Sequence, residues 1–178
     1  MNEQAKLDEA AHFRRQMKAT EHDPEDFKHN VSAFLTAARS VLMYAFTEVG
    51  RGRPGRAWLD GRMSRSPLLQ FFKDQRDLSV HHKPVSMERR VDITMHERIG
   101  IQESWSIELI GPDGKVKERR GSAPAAVAPV PRTTTTTIEH CYWFREWTGT
   151  EQVVVLCDRL LVELHDVVAD GRRRGFLT

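Results

Sequence analysis

The residue types best suited to chemistry lie close together in one stretch, residues 71–82, which reads FFKDQRDLSVHH. Arg76 and His81 are separated by four residues, and the polar Asp77 directly follows the arginine. A guanidinium is permanently charged and planar, so it can hold an oxyanion with two donors at once. An imidazole near its ordinary pKa can take up or release a proton at neutral pH. Arg76 and His81 are therefore the first candidates for a site, and His82 offers a second imidazole.

The same residues also have a purely structural explanation. Arg76 and Asp77 can be a solvated pair on a helix surface. His81 and His82 can mark a helix end, where an imidazolium interacts favourably with the C-terminal dipole. The motif alone leaves both explanations open.

Other kinds of site find little support in the chain. Two cysteines, Cys141 and Cys157, cannot supply a four-thiolate zinc site or a disulfide framework. The 8 histidines include no H-E-x-x-H motif and no pair at i, i+4 spacing. Cys157 falls within an apolar helical pattern and is best explained as a small core residue. The sequence therefore predicts no metal site and no cofactor.

Composition restricts the classes of partner. The chain has 178 residues and a formal net charge of +2, which suits one domain and is too small for bulk electrostatic binding of nucleic acid. No apolar run approaches the ~20 residues that span a bilayer. The first residues lack the apolar segment of a secretory signal. We therefore expect a cytoplasmic protein without a membrane interaction.

Hydrophobic periodicity predicts helices in the first half and at the end of the chain. The strongest pattern begins at Asp23 and Pro24, continues with apolar residues every three or four positions, and ends at Gly50. Weaker or shorter helices are predicted over residues 3–20, from Pro67 to about residue 83, and from about 150 to 169. Gly171 is predicted to lie just past the end of the last helix.

The segment 50–66 breaks this pattern and is rich in glycine and arginine. Five arginines face one acidic residue, Asp60, and the segment is predicted to be a mobile basic loop. It is either a solvated connection or a lid that steers phosphates. The arginines are Arg51, Arg53, Arg56, Arg62 and Arg65.

The period changes to two after Pro84. Val91, Ile93 and Met95 alternate with polar residues, as in half-buried strands, and the turn at 111–114 predicts a hairpin. The fold class is therefore predicted as α+β, mainly α, in a single domain 1–178. An antiparallel bundle of about four helices (1–83 and 150–171) would carry a small antiparallel β-meander (88–144), which includes a Pro/Ala-rich linker, 120–131.

Arg76-x4-His81 at the end of a bundle helix resembles the R-x4-6-H motif of the HEPN family, the higher eukaryotes and prokaryotes nucleotide-binding domains. The resemblance covers roughly residues 1–83 and 150–170. It implies a metal-independent endoribonuclease in which Arg76 stabilises the scissile phosphate of RNA and His81 transfers a proton. The family's second helix often adds a polar group, here Arg39 with Ser40, or Asn30 with Ser32. Weaker phosphate or RNA contacts are expected from Asp77, His82, Arg39, Arg51, Arg53 and Arg56.

Helix geometry limits this expectation. Five steps along a regular helix turn through about 500°, so Arg76 and His81 would point about 140° apart. Either the helix frays before His81, or the site is composite across a homodimer, as is common in the family. The alternative function is a non-catalytic HEPN-like module that binds a protein partner without turnover.

Overall fold

The computed structural model describes residues 2–50, 53–81, 85–98, 106–121 and 133–178 and confirms the α+β class. The helices are α1 (Asn2–Ala19), α2 (Pro24–Val49), α3 (Pro54–Arg65), α4 (Pro67–His81) and α5 (Val153–Arg173). The strands are β1 (Met87–Arg98), β2 (Ser106–Ile110), β3 (Val116–Gly121) and β4 (Thr133–Phe144). The chain forms two compact units, which we call the helical unit (Met1–Val91 and His140–Thr178) and the β unit (Asp92–Glu139). None of the helices in the described ranges has the length and hydropathy needed to cross a membrane.

Helix α2 is the central element of the helical unit. Its start is fixed as predicted, because Asp23 accepts hydrogen bonds from the backbone N–H groups of Glu25 (2.9 Å) and Asp26 (3.1 Å). These bonds lower the pKa of Asp23. Helix α2 contacts each of the other four helices. Its buried residues are Phe27, Val31, Phe34, Leu35, Ala37, Ala38, Val41, Leu42, Ala45 and Val49.

The predicted basic loop at 50–66 is wrong over most of its length, because residues 54–65 form helix α3. Pro54 occupies the start of this helix, where its missing N–H costs nothing. Gly55, Leu59 and Met63 recur every four residues and are buried. This short apolar stripe was masked by the many arginines and glycines of the segment.

The end of α5 also differs from the prediction. Gly171 lies inside the helix. The residue that follows the helix end in a left-handed conformation is Gly175, with a φ of 70°. The N–H of Gly175 donates to the carbonyl of Arg172 (2.9 Å), and that of Phe176 donates to the carbonyl of Gly171 (2.9 Å). This is the Schellman pattern, in which a left-handed glycine ends a helix. It turns Phe176 back onto Trp58, with ring centroids 5.6 Å apart.

The predicted β-meander is wrong in its strand pairing. β1 pairs with β4 and β2 pairs with β3, so two separate two-stranded antiparallel sheets form. β2 and β3 are joined by the predicted turn, and their register runs from Ser106↔Gly121 to Ile110↔Val116. The alternating apolar residues of β1 and β2 are exposed rather than half-buried. Most of the predicted linker, residues 122–131, lies outside the described residues.

Aromatic side chains of β4 attach the strand to the helices of the helical unit. The ring of Tyr142 stacks on Phe27 with centroids 3.8 Å apart, and its hydroxyl donates to the carbonyl of Glu21 (2.9 Å). Phe144 packs edge-on against Phe71 (5.3 Å) and Phe72 (5.7 Å). These contacts fix the end of β4 beside α2 and α4.

We predict that Gly171→Ala destabilises the protein. An added Cβ would lie 2.6 Å from Cδ1 of Leu177 and 2.9 Å from Cη2 of Trp58, so the returning C-terminal segment would have to shift. The expected loss is about 1–3 kcal/mol in the free energy of unfolding, measured by urea denaturation. Gly61→Ala in α3 is the matched control, because its nearest contact is 3.9 Å away. The control should be neutral or more stable by about 0.5–1 kcal/mol, and equal effects of both substitutions would contradict the packing argument.

Asp170 accepts hydrogen bonds from three side chains, two at the end of its own helix α5 and one, Trp58, on α3. Its carboxylate accepts from Arg173 (2.6 Å), Arg174 (2.9 Å) and Trp58 Nε1 (3.0 Å). These donors, Arg173 foremost, lower the pKa of Asp170 to about 2. A lowered folded-state pKa stabilises the fold above the ordinary carboxyl pKa, and this contribution is lost as the pH falls towards 2.

We therefore predict that Asp170→Asn lowers the Tm at pH 7 and that this difference disappears towards pH 2. The measurement is the Tm of wild type and variant across pH 2–7. Asp166→Asn, an exposed position on the same helix, is the control and should leave the Tm unchanged at every pH. A difference for Asp170→Asn that persists unchanged at pH 2 would rule out the carboxylate as its source.

Candidate anion-binding site

Helices α2 and α4 bring the predicted residues Arg39, Arg76 and Asp77 together. The two helices pack through Phe34 and Phe72, whose ring centroids lie 6.1 Å apart. Arg76 Nη1 lies 3.4 Å from Asp77 Oδ1, and both residues interact electrostatically with Arg39. Two guanidiniums from different helices thus share one neighbouring carboxylate.

The charge of Arg39 is incompletely compensated. The Nη1 of this residue is buried and has no hydrogen-bond partner among the described residues. Burial lowers the pKa of Arg39 and Arg76 lowers it further, while Asp77 raises it. A buried N–H without an acceptor is unfavourable. An anion bound between Arg39 and Arg76 would supply the acceptor and reduce the repulsion.

An open cleft of about 410 Å³ leads to this position. It is lined by three cations, Arg39, Arg56 and Lys73, and by one carboxylate, Asp60. Arg56 Nε donates to Asp60 (3.0 Å), and its guanidinium lies 4.3 Å from the ring centre of Phe46. The excess positive charge favours an anionic ligand. The rest of the lining is Met43, Phe46 and Met63.

Lys73 is a member of this site that the sequence analysis missed. Its Nζ lies 3.8 Å from Asp77 Oδ2 and 3.5 Å from Asp74 Oδ1. The sequence does contain an indication of this position, because Lys73 and Asp77 have the i, i+4 spacing that places both on one face of a helix. Its position beside Arg39 follows from the packing of α4 on α2.

The structure brings together only part of the predicted set. Arg39, Arg76 and Asp77 meet, and Arg56 joins Arg39 in the cleft. Arg53 is exposed at the start of α3, and its side chain lies against Gly50. Arg51, His82 and the side chain of His81 lie outside the described residues.

His81 is the last residue of α4, so the helix does not fray before it. The regular helical period then separates the Cα directions of Arg76 and His81 by about 140°. The sequence left two arrangements of Arg76 and His81 open, a frayed helix end and a composite site. Fraying before His81 is excluded, because the backbone is helical up to that residue. A composite site, or the structural explanation in which the two residues form no site, therefore stays open.

A larger cleft, of about 840 Å³, lies between the α3–α4 junction and α5. Its three arginines are balanced by three carboxylates, Asp158, Glu163 and Asp166. Arg14 donates to Asp158 (2.6 Å), and Arg159 donates to Glu151 (2.5 Å). This cleft therefore lacks the excess positive charge of the smaller one.

Both cysteines lie in the interior of the protein, away from the candidate site. Cys141 and Cys157 are both buried, and burial raises the pKa of the Cys157 thiol. Within the described ranges, no group of three His, Cys, Asp or Glu side chains is arranged to hold a metal ion. Neither cysteine therefore joins the candidate site.

Comparisons of this chain with protein-family models, curated proteins and solved structures find no match. The resemblance to the HEPN family stays a prediction, and the site must be interpreted from its own geometry.

We predict that Arg39→Met leaves the free energy of unfolding unchanged or raises it by about 1 kcal/mol. The substitution removes a partly buried cation beside Arg76 and keeps an apolar stem of similar length. The same variant should lose the increase in Tm that inorganic phosphate gives the wild type. Arg15→Met, at an exposed position on α1, is the matched control and should keep that increase. A full phosphate response in Arg39→Met would exclude Arg39 from the site.

Proposed function

We propose that this chain is a HEPN-like, metal-independent endoribonuclease that acts on RNA through Arg76 and His81 at a homodimer interface. The observation that carries the proposal is the convergence of Arg39 and Arg76 from two helices, with a buried N–H of Arg39 that has no acceptor among the described residues. A phosphodiester is an anion that two guanidiniums can hold together, and the resemblance to the HEPN family supplies the imidazole of His81 for the proton transfer.

In the proposed reaction, the ribose 2′-oxygen attacks the adjacent phosphorus and the bond from phosphorus to the 5′-oxygen breaks. One imidazole removes the 2′ proton, and a second proton donor protonates the leaving 5′-oxygen. Arg76 stabilises the extra negative charge that develops on the phosphoryl oxygens. The products are a 2′,3′-cyclic phosphate and a 5′-hydroxyl, and no redox change or metal is required.

The remaining cations have a binding role in this proposal. Arg39 holds the same phosphate as Arg76, or the next one along the strand. Lys73 and Arg56 line the cleft and contact neighbouring phosphates of the strand. Lys73 does so with a flexible side chain, and Arg56 with a charge that Asp60 partly neutralises. Binding should therefore weaken steeply as the salt concentration rises.

The homodimer is part of the proposal because the regular helical period separates positions 76 and 81 of one α4 by about 140° around the helix axis. A second copy can place its own His81 opposite Arg76. Two copies also supply two imidazoles, which meets the need for one base and one acid.

The second candidate function is a non-catalytic module that binds a protein partner. It is favoured by the exposed apolar residues of β1 and β2, which no described residue covers. A protein surface of this kind commonly marks an interaction site.

The proposed nuclease activity is tested by incubating single-stranded RNA with the protein in EDTA. We expect wild type to cleave, and Arg76→Ala and His81→Ala each to be slower by about 10²–10⁴-fold, because each removes transition-state stabilisation or proton transfer. Arg15→Ala should cleave at the wild-type rate, and the Tm of every variant must match that of wild type. The proposal fails if all four proteins cleave equally or if none cleaves.

A further inference from the structure

The cleft of about 410 Å³ has two long walls, one on α2 and one on α3. On each helix the lining positions follow the spacing i, i+4, i+7, which places them along one face. Seven residues of helix span about 10 Å, so each wall is longer than a single phosphate group. The wall residues are Arg39, Met43 and Phe46 of α2 and Arg56, Asp60 and Met63 of α3. The cleft therefore has room for a ligand that extends beyond the anion held at Arg39.

The two ends of the cleft differ in chemical character. One end holds Arg39, whose Nη1 has no acceptor among the described residues, and Lys73, which shares a second small cavity with Arg39. The other end holds Phe46, with the guanidinium of Arg56 lying 4.3 Å from its ring centre. Met43 lies between these ends on α2 and is 50% exposed. An anion suits the first end, and a flat aromatic group suits the second.

Arg56 forms a platform on which a flat group can stack. Its guanidinium lies over the ring of Phe46, and its Nε donates to Asp60 (3.0 Å), so two contacts hold it in place. The side chain is 37% exposed and lines the cleft, which leaves the face away from Phe46 open to a ligand. Nucleobases stack on guanidinium planes. Stacking uses the face of Arg56 and leaves its Nη donors available for a phosphate of the strand.

Asp60 can distinguish one base from another. Its Oδ2 accepts from Arg56, and Oδ1 has no donor within the part of the chain that the structure describes. A carboxylate accepts several hydrogen bonds, so Oδ1 can accept from a ligand. Guanine carries two neighbouring N–H donors, N1 and N2, on its Watson–Crick edge. Adenine and cytosine place a ring-nitrogen acceptor beside the amino group, and uracil has a carbonyl on each side of its N–H, which sets acceptors against the carboxylate.

We propose that this cleft binds one guanine nucleotide. Its phosphate lies between Arg39 and Lys73, its base stacks on Arg56, and Asp60 accepts from the N1 and N2 donors. The inference rests on the proposed function where the nucleotide is part of an RNA strand, because it names the base beside the bound phosphate. A free guanosine monophosphate offers the same groups, so the experiments include both sources.

Calorimetric titration of the full chain with GMP, AMP and ribose 5-phosphate tests the base subsite. GMP should bind at least about fivefold more tightly than ribose 5-phosphate, because stacking adds to the phosphate contacts. It should bind at least about tenfold more tightly than AMP, because only guanine presents two donors to a carboxylate. IMP, which keeps N1–H and lacks the 2-amino group, should lie between them. Equal affinity for GMP and AMP, or no binding of GMP at about 1 mM, would overturn the proposal.

Two substitutions separate the base contacts from the charge of the cleft. Arg56→Lys keeps the positive charge and removes the flat face, so GMP should bind about as weakly as ribose 5-phosphate, whose own affinity should not change. Asp60→Asn should abolish the preference for GMP over AMP, because an amide presents a donor as well as an acceptor. Arg53→Lys, at an exposed position at the start of α3, is the matched control and should bind all three ligands like wild type. Unchanged GMP affinity in Arg56→Lys would exclude the stacking platform.

An RNA strand with a single guanosine among uridines separates this inference from the proposed nuclease activity. We expect cleavage at one position beside the guanosine, and replacing that base by adenine should slow cleavage by about tenfold. If the strand is not cut while GMP still binds more tightly than AMP, the base subsite is supported with the free nucleotide as its ligand, and the nuclease proposal fails. If the strand is cut regardless of base and GMP binds no better than AMP, the base subsite is overturned and the nuclease proposal stands.

Discussion

The helical unit depends on the burial of helix α2. Its apolar residues recur through about six turns, so the other four helices must surround it. Arg39 lies at the border of this buried surface, next to the buried Ala38 and within one turn of Leu35 and Leu42. The same packing that excludes water from the core therefore fixes a guanidinium beside α4. Its side chain is half-buried, so the packing limits how far the charge is exposed to water.

The clearest parts of the fold were those in which local chemistry and long-range packing agree. At the start of α2, the cap at Asp23, the proline after it and the apolar period all favour the same helix. In α3 these signals conflict, because the arginines and Gly61 favour a loop while Leu59 and Met63 favour a helix. Tertiary contacts decide the outcome: Leu59 is fully buried, and Trp58 donates to Asp170 of α5. Sequence patterns within a short segment cannot predict that contact, because its two residues are 112 positions apart.

Strand existence was predictable, whereas strand pairing was not. The turn at 111–114 joins β2 to β3 over a short distance, and such a hairpin follows from the turn residues alone. The partner of β1 lies far away in the sequence and is set by the packing of Tyr142 and Phe144 on the helices. Alternation of apolar residues predicts that one face of a strand avoids water, but it does not specify what covers that face. In β1 the described residues leave that face exposed.

The candidate site shows the same limit at the level of single residues. The motif pointed to Arg76, whereas Arg39 was one of several candidates on α2 and Lys73 was not a candidate. Only the contact between α2 and α4 shows which of these side chains meet. That contact places like charges together where burial already opposes the charge of Arg39. Such an arrangement lowers stability unless a ligand compensates it, and surplus charge of this kind is characteristic of binding sites. Replacing Arg39 by an apolar residue would remove this cost, and the uncompensated charge at this border is the reason we propose that the cleft binds an anion.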